Sequence, residues 1–200
     1  MLVGFGGHAR SVADCIERLG KYHIVGYTDL QKNYNDNGYE YLGKDSILQT
    51  IYNDGTRKAV ITIGQIGIDQ VRHKLYNLVK EIGFQLPIII DPSAIISKNV
   101  KIAEGTFIGK GAVINSNTCI GKMCIINTRT VCEHDNMVGE FSHIAVGTVC
   151  SGEVCIGDNS FVGANSTIIQ GVNIGKESVI GAGSIVLHNV NNGETRYGII

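Results

Sequence analysis

The chain has 200 residues, enough for one or two domains with cores of their own, and 17 Lys and Arg balance 18 Asp and Glu for a formal net charge of -1. This balance gives no electrostatic reason to expect binding to nucleic acid or to an anionic membrane. No stretch has the length and apolarity of a membrane span, and the first residues lack the pattern of a secretory signal, so we expect a cytoplasmic protein.

The cysteines point to the same compartment. None has the Cys-x-x-Cys spacing of common zinc or redox sites, and five of the six lie in the second half of the chain. We therefore expect reduced, mostly buried thiols and no bound metal. The six are Cys15, Cys119, Cys124, Cys132, Cys150 and Cys155.

Residues 1–91 alternate short strands with helices, which predicts a small Rossmann-like parallel sheet with helices packed on it. Each predicted helix ends at a glycine, Gly20 or Gly83, where a C-terminal cap belongs. The polar, Asn-rich stretch 31–41 predicts a surface loop. The predicted strands lie at 2–3, 24–29, 58–63 and 88–90, and the helices follow residue 7 and cover 71–82.

The second half of the chain has an apolar residue at every sixth position. A period of six matches neither an α-helix nor a single strand, but it is typical of a repeat architecture. The residue after each of these apolar anchors is usually Gly or Ala, and the fourth residue after it is usually Ser, Thr or Ala. This predicts short strands that turn sharp corners around a narrow core over residues 92–200. The anchors are Ile96, Ile102, Ile108, Ile114, Ile120, Ile126, Cys132, Val138, Ile144, Cys150, Ile156, Val162, Ile168, Ile174, Ile180 and Val186.

The six-residue pattern resembles the hexapeptide repeat of left-handed parallel β-helices, in which three hexads form one triangular coil. The resemblance implies the handedness, which the spacing alone does not show. It also implies an acyltransferase that uses acyl-CoA or an acyl carrier protein and works as a trimer.

A cluster of ionisable residues interrupts the repeat at Glu133-His134-Asp135, and His143 follows nine residues after His134. Histidine is the usual general base when an amine or hydroxyl attacks a thioester, and a neighbouring carboxylate can orient it. A second donor, here His143, could bind the oxygen on which negative charge develops. Nine residues are half a coil, so we expect the two histidines on different faces and in one site only across a subunit contact.

The segment Gly4-Phe5-Gly6-Gly7-His8-Ala9 lies between a predicted strand and helix, with Asp29 about twenty residues further on. This order matches the dinucleotide-binding fingerprint, in which backbone amides at a helix N-terminus meet phosphate. The domain is only about half the size of a full dinucleotide-binding fold. A nucleotide sugar therefore fits it better than NAD.

The whole chain resembles bacterial sugar acetyltransferases that join a small nucleotide-binding domain to a left-handed β-helix. These include N-acetyltransferases of the bacillosamine and perosamine pathways and sialic acid O-acetyltransferase relatives. The shared motifs are the Gly-Gly-His-Ala loop, Gly-Tyr-Thr-Asp, Ile-Thr-Ile-Gly, and Glu-His-Asp followed by Ser-His. The resemblance implies transfer of acetyl from acetyl-CoA to a nucleotide-activated amino sugar, of the 4-amino-4,6-dideoxy class, for a bacterial surface glycan.

The resemblance also implies roles for individual residues. His134 would be the base, Asp135 its partner and His143 a contact to acetyl-CoA. Asn127 would touch the substrate. Gly152, Ala164 and Ala182 would contact the pantetheine arm of the co-substrate, and Gly6, Gly7, His8, Asp29 and Gly64 would line the nucleotide-sugar pocket.

Two positions depart from the family pattern. Leu30 stands where the family commonly has a second acidic residue, so the resemblance does not determine which nucleotide or sugar this chain prefers. The sequence ends at Ile200 without the Gly-x-Pro-Ala segment that helps to cover the CoA end.

Other functions fit parts of the sequence. O-acetylation of sialic acid needs the same base and fold, and the glycine loop with Asp29 also suits an NAD-dependent oxidoreductase. A non-catalytic nucleotide-binding module or scaffold would need no base. A metal-dependent β-helix hydratase would need three converging histidines, and the close His-x4-His spacing of such enzymes is absent here.

Overall fold

The computed structural model describes residues 1–67 and 70–200 and divides into two compact units. The first joins Met1–Gly64 to Gln70–Ile89, and the second joins the segment that begins at Gln65 to Ile90–Ile200. In the part of the chain that the structure describes, no helix has the length and apolarity needed to cross a membrane.

The first unit is a small parallel sheet, as predicted, with four strands in the order Tyr41–Gly43, Tyr27–Thr28, Leu2–Val3 and Val60–Ile61. The strand predicted at 88–90 is present as Ile89–Ile90 but is not part of this sheet. Gly20 and Gly83 cap their helices in the left-handed conformation, with φ of 63° and 107°, and confirm the predicted ends. The helices are Gly7–Leu19, Leu48–Asn53 and Val71–Ile82, with a 3-10 turn at Asp45–Ile47.

Some boundaries in this unit differ from the prediction. The second strand covers only Tyr27–Thr28, because residues 24–26 lie beyond the ends of the neighbouring strands. Tyr41, predicted as the end of a loop, begins an edge strand that pairs with Tyr27. The helix at Leu48–Asn53 was not predicted, because its six residues are too few to show a helical period.

The second unit is a parallel β-helix of two-residue strands stacked into three sheets. Each strand pairs with the strand 18 residues further on, as Cys119 pairs with Met137, so three hexads make one coil, as predicted. One sheet contains Lys101–Ile102, Cys119–Ile120, Met137–Val138, Cys155–Ile156 and Asn173–Ile174. The second contains Ile95–Ile96, Val113–Ile114, Val131–Cys132, Val149–Cys150, Thr167–Ile168 and Ile185–Val186. The third includes Phe107–Ile108, Ile125–Ile126, His143–Ile144, Phe161–Val162, Val179–Ile180 and Thr195–Arg196, and the strand Ile89–Ile90 precedes the coils.

The repeat positions have separate physical roles. The anchors from Ile108 to Val186 fill the interior and are at most 4% exposed. The residue after an anchor is small because the next coil lies against it: a Cβ at Gly157 would lie 2.4 Å from the backbone N of Lys176. The buried hydroxyl four positions after an anchor bonds the next coil, as Ser160 Oγ does to the Gly175 carbonyl at 2.8 Å.

From Gly105 to Gly183, the third residue after each anchor has positive φ, which was not predicted from the sequence. Glycine provides this left-handed conformation at Gly105, Gly111, Gly147, Gly171 and Gly183. Elsewhere other side chains adopt it, at Asn117, Met123, Arg129, Asp135, Phe141, Glu153, Asn159, Asn165 and Glu177. At the corners where the residue is not glycine, its side chain therefore leaves the strand pattern.

Candidate active site

His134 lies on the corner between the strands Val131–Cys132 and Met137–Val138. Its side chain is 48% exposed, so the imidazole is open to a ligand from solvent. Asp135, the next residue, has a φ of 60°. This left-handed turn brings two consecutive side chains together, with 2.8 Å between His134 Nδ1 and Asp135 Oδ2.

Asn117 holds the other side of the Asp135 carboxylate. It lies one coil before Asp135 in the same corner column, and its Nδ2 donates to Asp135 Oδ1 at 3.0 Å. The carboxylate is thus fixed between an amide and an imidazole, which sets the direction of the ring.

The charges around His134 favour its protonated form. The hydrogen bond to Asp135 is the largest effect and raises the pKa of His134, and the negative charges of Asp135, Glu133 and Glu153 add to it. The same hydrogen bond, with that from Asn117, lowers the pKa of Asp135. When the ring is neutral, Nδ1–H donates to the carboxylate and the lone pair is on Nε2, as a general base requires.

Asn136 fixes the backbone of this corner. It occupies the hexad position of the buried hydroxyl and donates from Nδ2 to the carbonyls of Glu133 and Ser151. Its Oδ1 accepts the N–H of Val154 at 3.0 Å. Buried amide bonds to two coils therefore hold His134 and Asp135 in place.

Gly152 lies one coil after His134, directly against the imidazole. A Cβ at this position would lie 2.5 Å from His134 Cε1 and 2.6 Å from Nε2, so only glycine leaves the ring its place. Gly152 is buried, and within residues 1–67 and 70–200 its N–H donates no hydrogen bond. Gly152 therefore lies against the ring of the candidate base with its N–H unbonded.

His143 lies on a different sheet from the strands that flank His134 and is 8% exposed. Its Nδ1 lies 2.6 Å from the carbonyl of Gln65, and its Nε2 lies 3.2 Å from Asn127 Nδ2. The ring also meets Phe161 edge to face, with 5.3 Å between centroids. The structure therefore brings Asn127 to His143.

Ala164 and Ala182 lie one coil apart on another edge of the prism. They follow the strands Phe161–Val162 and Val179–Ile180 and precede the six-stranded sheet, whereas His134 and Gly152 lie after that sheet. Within one protomer the structure does not bring the two alanines to His134.

In the first unit, packing explains one glycine of the loop and leaves two unexplained. Gly4 has a φ of 86°, and a Cβ there would lie 2.5 Å from Ile63. Gly6 and Gly7 are exposed at the start of the helix Gly7–Leu19, and a Cβ would meet nothing within 4 Å at Gly6 and only the end of Arg10 at Gly7. Neither has positive φ, and Gly6 is the N-cap of the helix, a position that glycine favours.

The other predicted pocket residues adjoin this loop. The Asp29 carboxylate accepts the N–H groups of Phe5 at 2.8 Å and Leu30 at 2.7 Å, so it holds the loop in place. A Cβ on Gly64 would lie 3.5 Å from the Cβ of His8, an ordinary contact. The side chain of Leu30 is exposed beside them.

Reasoning from the sequence missed Asn117, Asn136 and Gln65. Asn117 could have been found from the coil length, because it lies 18 residues before Asp135 and therefore stacks on it. Asn136 could have been found as the amide at a hydroxyl position of the repeat. Gln65 left no signal, because its backbone carbonyl makes the contact.

All six cysteines are free, and four are buried. In the described ranges no three His, Cys, Asp or Glu side chains come together as metal ligands would.

Comparison with known proteins identifies the two parts of the chain. Residues 1–79 match the PglD N-terminal domain, and residues 153–188 match the hexapeptide repeat of succinyl-transferase. A comparison with curated protein sequences gives no significant match.

Solved structures match the chain over nearly its whole length. A variant of GDP-perosamine N-acetyltransferase from Caulobacter crescentus, in complex with CoA and GDP-perosamine, is 29% identical with a TM-score of 0.93, covering 98% of this chain and 92% of that one. By domain content and fold, the chain resembles bacterial sugar acetyltransferases. The acetyltransferase domain of PglB from Neisseria gonorrhoeae, in complex with acetyl coenzyme A, is 26% identical with a TM-score of 0.89 over 98% and 94% of the two chains.

A third structure, WeeI from Acinetobacter baumannii, is 24% identical to this chain with a TM-score of 0.85. The match covers 98% of this chain and 95% of that one and shows a shared fold. These matches confirm the predicted resemblance and the predicted fold class, a small Rossmann-like domain followed by a left-handed parallel β-helix.

Proposed function

We propose that this acetyltransferase moves acetyl from acetyl-CoA to the amine of a nucleotide-activated amino sugar, with His134 as the general base. The observation that carries the proposal is the exposed His134–Asp135 pair beside the Gly152 amide. Solved structures of similar acetyltransferases, bound to CoA with GDP-perosamine or to acetyl coenzyme A, support the substrate classes.

His134 Nε2 accepts the proton of the sugar amine as its nitrogen attacks the thioester carbonyl. Asp135 accepts the Nδ1–H bond and stabilises the imidazolium that forms. The C–N bond forms, the carbonyl π electrons move to oxygen, and the intermediate is tetrahedral.

The Gly152 N–H is the proposed donor to that oxygen. It lies beside the imidazole and has no acceptor among the described residues, so it can bond the oxyanion at the moment the charge develops. Collapse of the intermediate breaks the C–S bond, and the proton on His134 passes to the departing CoA sulfur. The products are the N-acetyl sugar and CoA, and His134 is neutral again.

The first unit, within the predicted domain 1–91, is the proposed nucleotide-sugar site. Gly6 and Gly7 leave the backbone amides of the helix N-terminus open to phosphate, with His8, Asp29 and Gly64 next to the loop. The predicted domain 92–200 then carries the acetyl transfer.

We also propose a homotrimer with active sites between subunits. Along the outer column of the six-stranded sheet, Ile95, Val149 and Ile185 are 65%, 36% and 44% exposed, an apolar stripe suited to a partner surface. His134 lies at one edge of that sheet, and Ala164 and Ala182 lie at the other. Packing of two copies along this sheet would bring the alanines of one beside the base of the next.

The cellular setting follows from these substrates. Acetyl-CoA and nucleotide sugars are cytoplasmic metabolites, so we propose a cytoplasmic enzyme that prepares a 4-amino-4,6-dideoxy sugar for a surface glycan.

A screen of UDP-, GDP- and CMP-linked sugars with acetyl-CoA, analysed by mass spectrometry, tests the proposal. We expect one acetyl group on an amino-sugar nucleotide and none on its hydroxyl analogue. Acetylation of sialic acid or another hydroxyl acceptor would favour O-acetyl transfer instead.

Thermal-shift measurements separate the remaining alternatives. A ligand that binds the folded protein raises its melting temperature, so acetyl-CoA and the accepted nucleotide sugar should do so and NAD should not. Stabilisation by NAD alone would favour an oxidoreductase, and stabilisation by nucleotides without acetyl-CoA would favour a non-catalytic module.

A further inference from the structure

Glu153 occupies the same corner position as Asp135, one coil further along the β-helix. Both are the third residue after an anchor, and both have a φ of 60°. The backbone N–H of Glu153 donates to the His134 carbonyl at 3.0 Å, so the two coils stack in register here. At Asp135 the left-handed turn brings the carboxylate back to the residue before it, His134. We expect the same turn at Glu153 to direct its carboxylate back over Gly152.

The imidazole of His134 occupies the place that a side chain at Gly152 would take. A Cβ there would lie 2.5 Å from Cε1 and 2.6 Å from Nε2 of the ring, but 3.2 Å from Nδ1. The edge of the ring that faces Gly152 is therefore the edge with Nε2, whereas Nδ1 is bonded to Asp135. A carboxylate that turns back over Gly152 borders the space in front of Nε2, where the acceptor must place its proton.

Three carboxylates surround this imidazole with negative charge, those of Asp135, Glu133 and Glu153. Two of them already have partners in the corner. Asp135 is held by His134 Nδ1 and Asn117, and Glu133 Oε2 accepts the backbone N–H of His134 at 3.3 Å. Glu153 is exposed, and its carboxylate makes no hydrogen bond or ion pair among the residues that the structure describes. It is therefore the carboxylate of the three that is open to a ligand.

We propose that Glu153 contacts the acceptor amine and makes the site select a nitrogen over an oxygen nucleophile. This inference rests on the proposed function and makes it more specific. In the form that can attack a thioester, an amine is neutral and has two N–H donors and one lone pair. One N–H donates to His134 Nε2 and the other to the Glu153 carboxylate, which leaves the lone pair for the thioester carbonyl.

A hydroxyl acceptor cannot satisfy both groups. Its single O–H donates to His134 Nε2, so the Glu153 carboxylate then faces the lone pairs of the oxygen. A polar group left without a partner in a complex costs binding free energy, and a site that bonds a substrate N–H therefore rejects the analogue that lacks it. Glu153 thus determines specificity, while His134 remains the base.

The ratio of kcat/KM for an amine acceptor to kcat/KM for a hydroxyl acceptor tests the proposal. The two nucleotide sugars differ only in NH2 or OH at the acetylated carbon. In Glu153→Gln the amide can turn its NH2 to a hydroxyl oxygen, so the rate constant should rise for the hydroxyl and fall for the amine. We expect the ratio to fall about 10- to 100-fold, with the KM for acetyl-CoA within about twofold of wild type. An unchanged ratio, or no product from the hydroxyl acceptor, would overturn the proposal.

Glu177→Gln is the matched control. Glu177 is also exposed, is also the third residue after an anchor and has a φ of 55°, but its corner follows the five-stranded sheet. This variant should keep the wild-type ratio. An equal fall of the ratio in both variants would show that the effect does not come from the site, and it would overturn the proposal.

Nuclear magnetic resonance of the His134 imidazole tests the position of the carboxylate without any turnover. Removal of a nearby negative charge lowers the pKa of a histidine, so His134 should titrate at lower pH in Glu153→Gln than in wild type. The other carboxylates around the ring, Asp135 and Glu133, are the same in both proteins. Glu177→Gln should leave the titration in place, and His134→Ala identifies the signal. An unchanged titration in Glu153→Gln would place this carboxylate away from the ring and overturn the proposal.

These outcomes are separable from failure of the proposed function. An enzyme that acetylates no amino-sugar nucleotide would refute the function, and the titration of His134 would still locate the Glu153 carboxylate. An active enzyme whose Glu153→Gln variant keeps the wild-type ratio of amine to hydroxyl acetylation would refute the present inference alone.

Discussion

At the scale of single residues, the site depends on one backbone conformation. Neighbouring residues of a strand point to opposite faces, so His134 and Asp135 could not meet in regular β structure. The left-handed φ of Asp135 turns its carboxylate back to the imidazole, and Asn117 and Asn136 hold it there. Every corner of the β-helix offers such a position, and here it is used to join an acid to a base.

The first prediction concerns pH. The bond to Asp135 raises the pKa of His134 above its ordinary value of about 6.5, and a general base works only when it is deprotonated. We therefore expect kcat/KM to fall as the pH drops through a pKa above that value. In Asp135→Asn the carboxylate is lost, so the acidic limb should move to lower pH while the plateau falls.

The pH profiles of kcat/KM for Asp135→Asn and for a matched control test this prediction. Asp158→Asn also removes a carboxylate from the β-helix, but Asp158 pairs with Lys176 and should leave the limb in place. A limb that stays or moves to higher pH in Asp135→Asn would contradict this account of the base.

The sequence could predict part of this site. His134 and Asp135 were found because their chemistry differs from that of the surrounding repeat. Asn117 and Asn136 were missed because an amide in a turn looks ordinary until the coil places it on a neighbour. Asn127 was predicted as a substrate contact, and in the structure its side chain lies 3.2 Å from His143 Nε2. The other ring nitrogen of His143 meets the carbonyl of Gln65, 78 residues away, which no local pattern could predict.

At the scale of elements, the stacking of coils at a spacing of 18 explains both stability and function. Residues 18 positions apart lie against each other in successive coils. Gly175 therefore lies against Gly157 in the packing of strands, and Gly152 lies against His134 in the site. The two kinds of glycine differ in what a Cβ would meet, since Gly157 faces backbone and Gly152 faces an imidazole.

This difference predicts opposite results for two alanine variants. Gly157→Ala should lower the free energy of unfolding by about 1–3 kcal/mol, because the backbone of the next coil cannot move aside. Gly152→Ala should fold nearly as well as wild type, because the His134 ring can swing away, but kcat should fall about 10²-fold as the base loses its place.

Urea unfolding and steady-state kinetics on both variants test the pair. A Gly152→Ala enzyme with wild-type kcat would contradict the placement of the ring, and a Gly157→Ala protein of wild-type stability would contradict the packing of the coils.

The elements themselves show what a sequence can predict. The hexad period was clear because each coil repeats one set of contacts, and the helices were clear from their apolar faces and glycine caps. The edge strand Tyr41–Gly43 was missed because it forms only by pairing with Tyr27, and nothing in its local composition requires a strand.

At the scale of the whole molecule, a complete site needs a second copy of the chain. Two of the predicted acyl-donor contacts, Ala164 and Ala182, lie on a different edge of one prism from His134, and the apolar stripe that includes Val149 runs between the two edges. We expect the wild-type protein to sediment as a trimer. Val149→Glu should give a folded monomer with little activity, because a charge would be buried without a partner.

Asn173→Glu is the matched control, since Asn173 is also exposed on a strand but belongs to the five-stranded sheet. It should remain trimeric and active. A wild-type protein that is monomeric and active, or a Val149→Glu variant that keeps its mass and rate, would contradict this interface.

The proposed mechanism depends most on His134, which takes the proton from the acceptor amine. The direct measurement is the rate of CoA release by wild type and by His134→Ala, at saturating acetyl-CoA and amino-sugar nucleotide. Loss of a general base should lower kcat about 10²- to 10⁴-fold, while His188→Ala, an exposed histidine of the same unit, should match wild type. A His134→Ala enzyme with kcat within about twofold of wild type would show that the proton leaves by another route, against the magnitude expected for a general base.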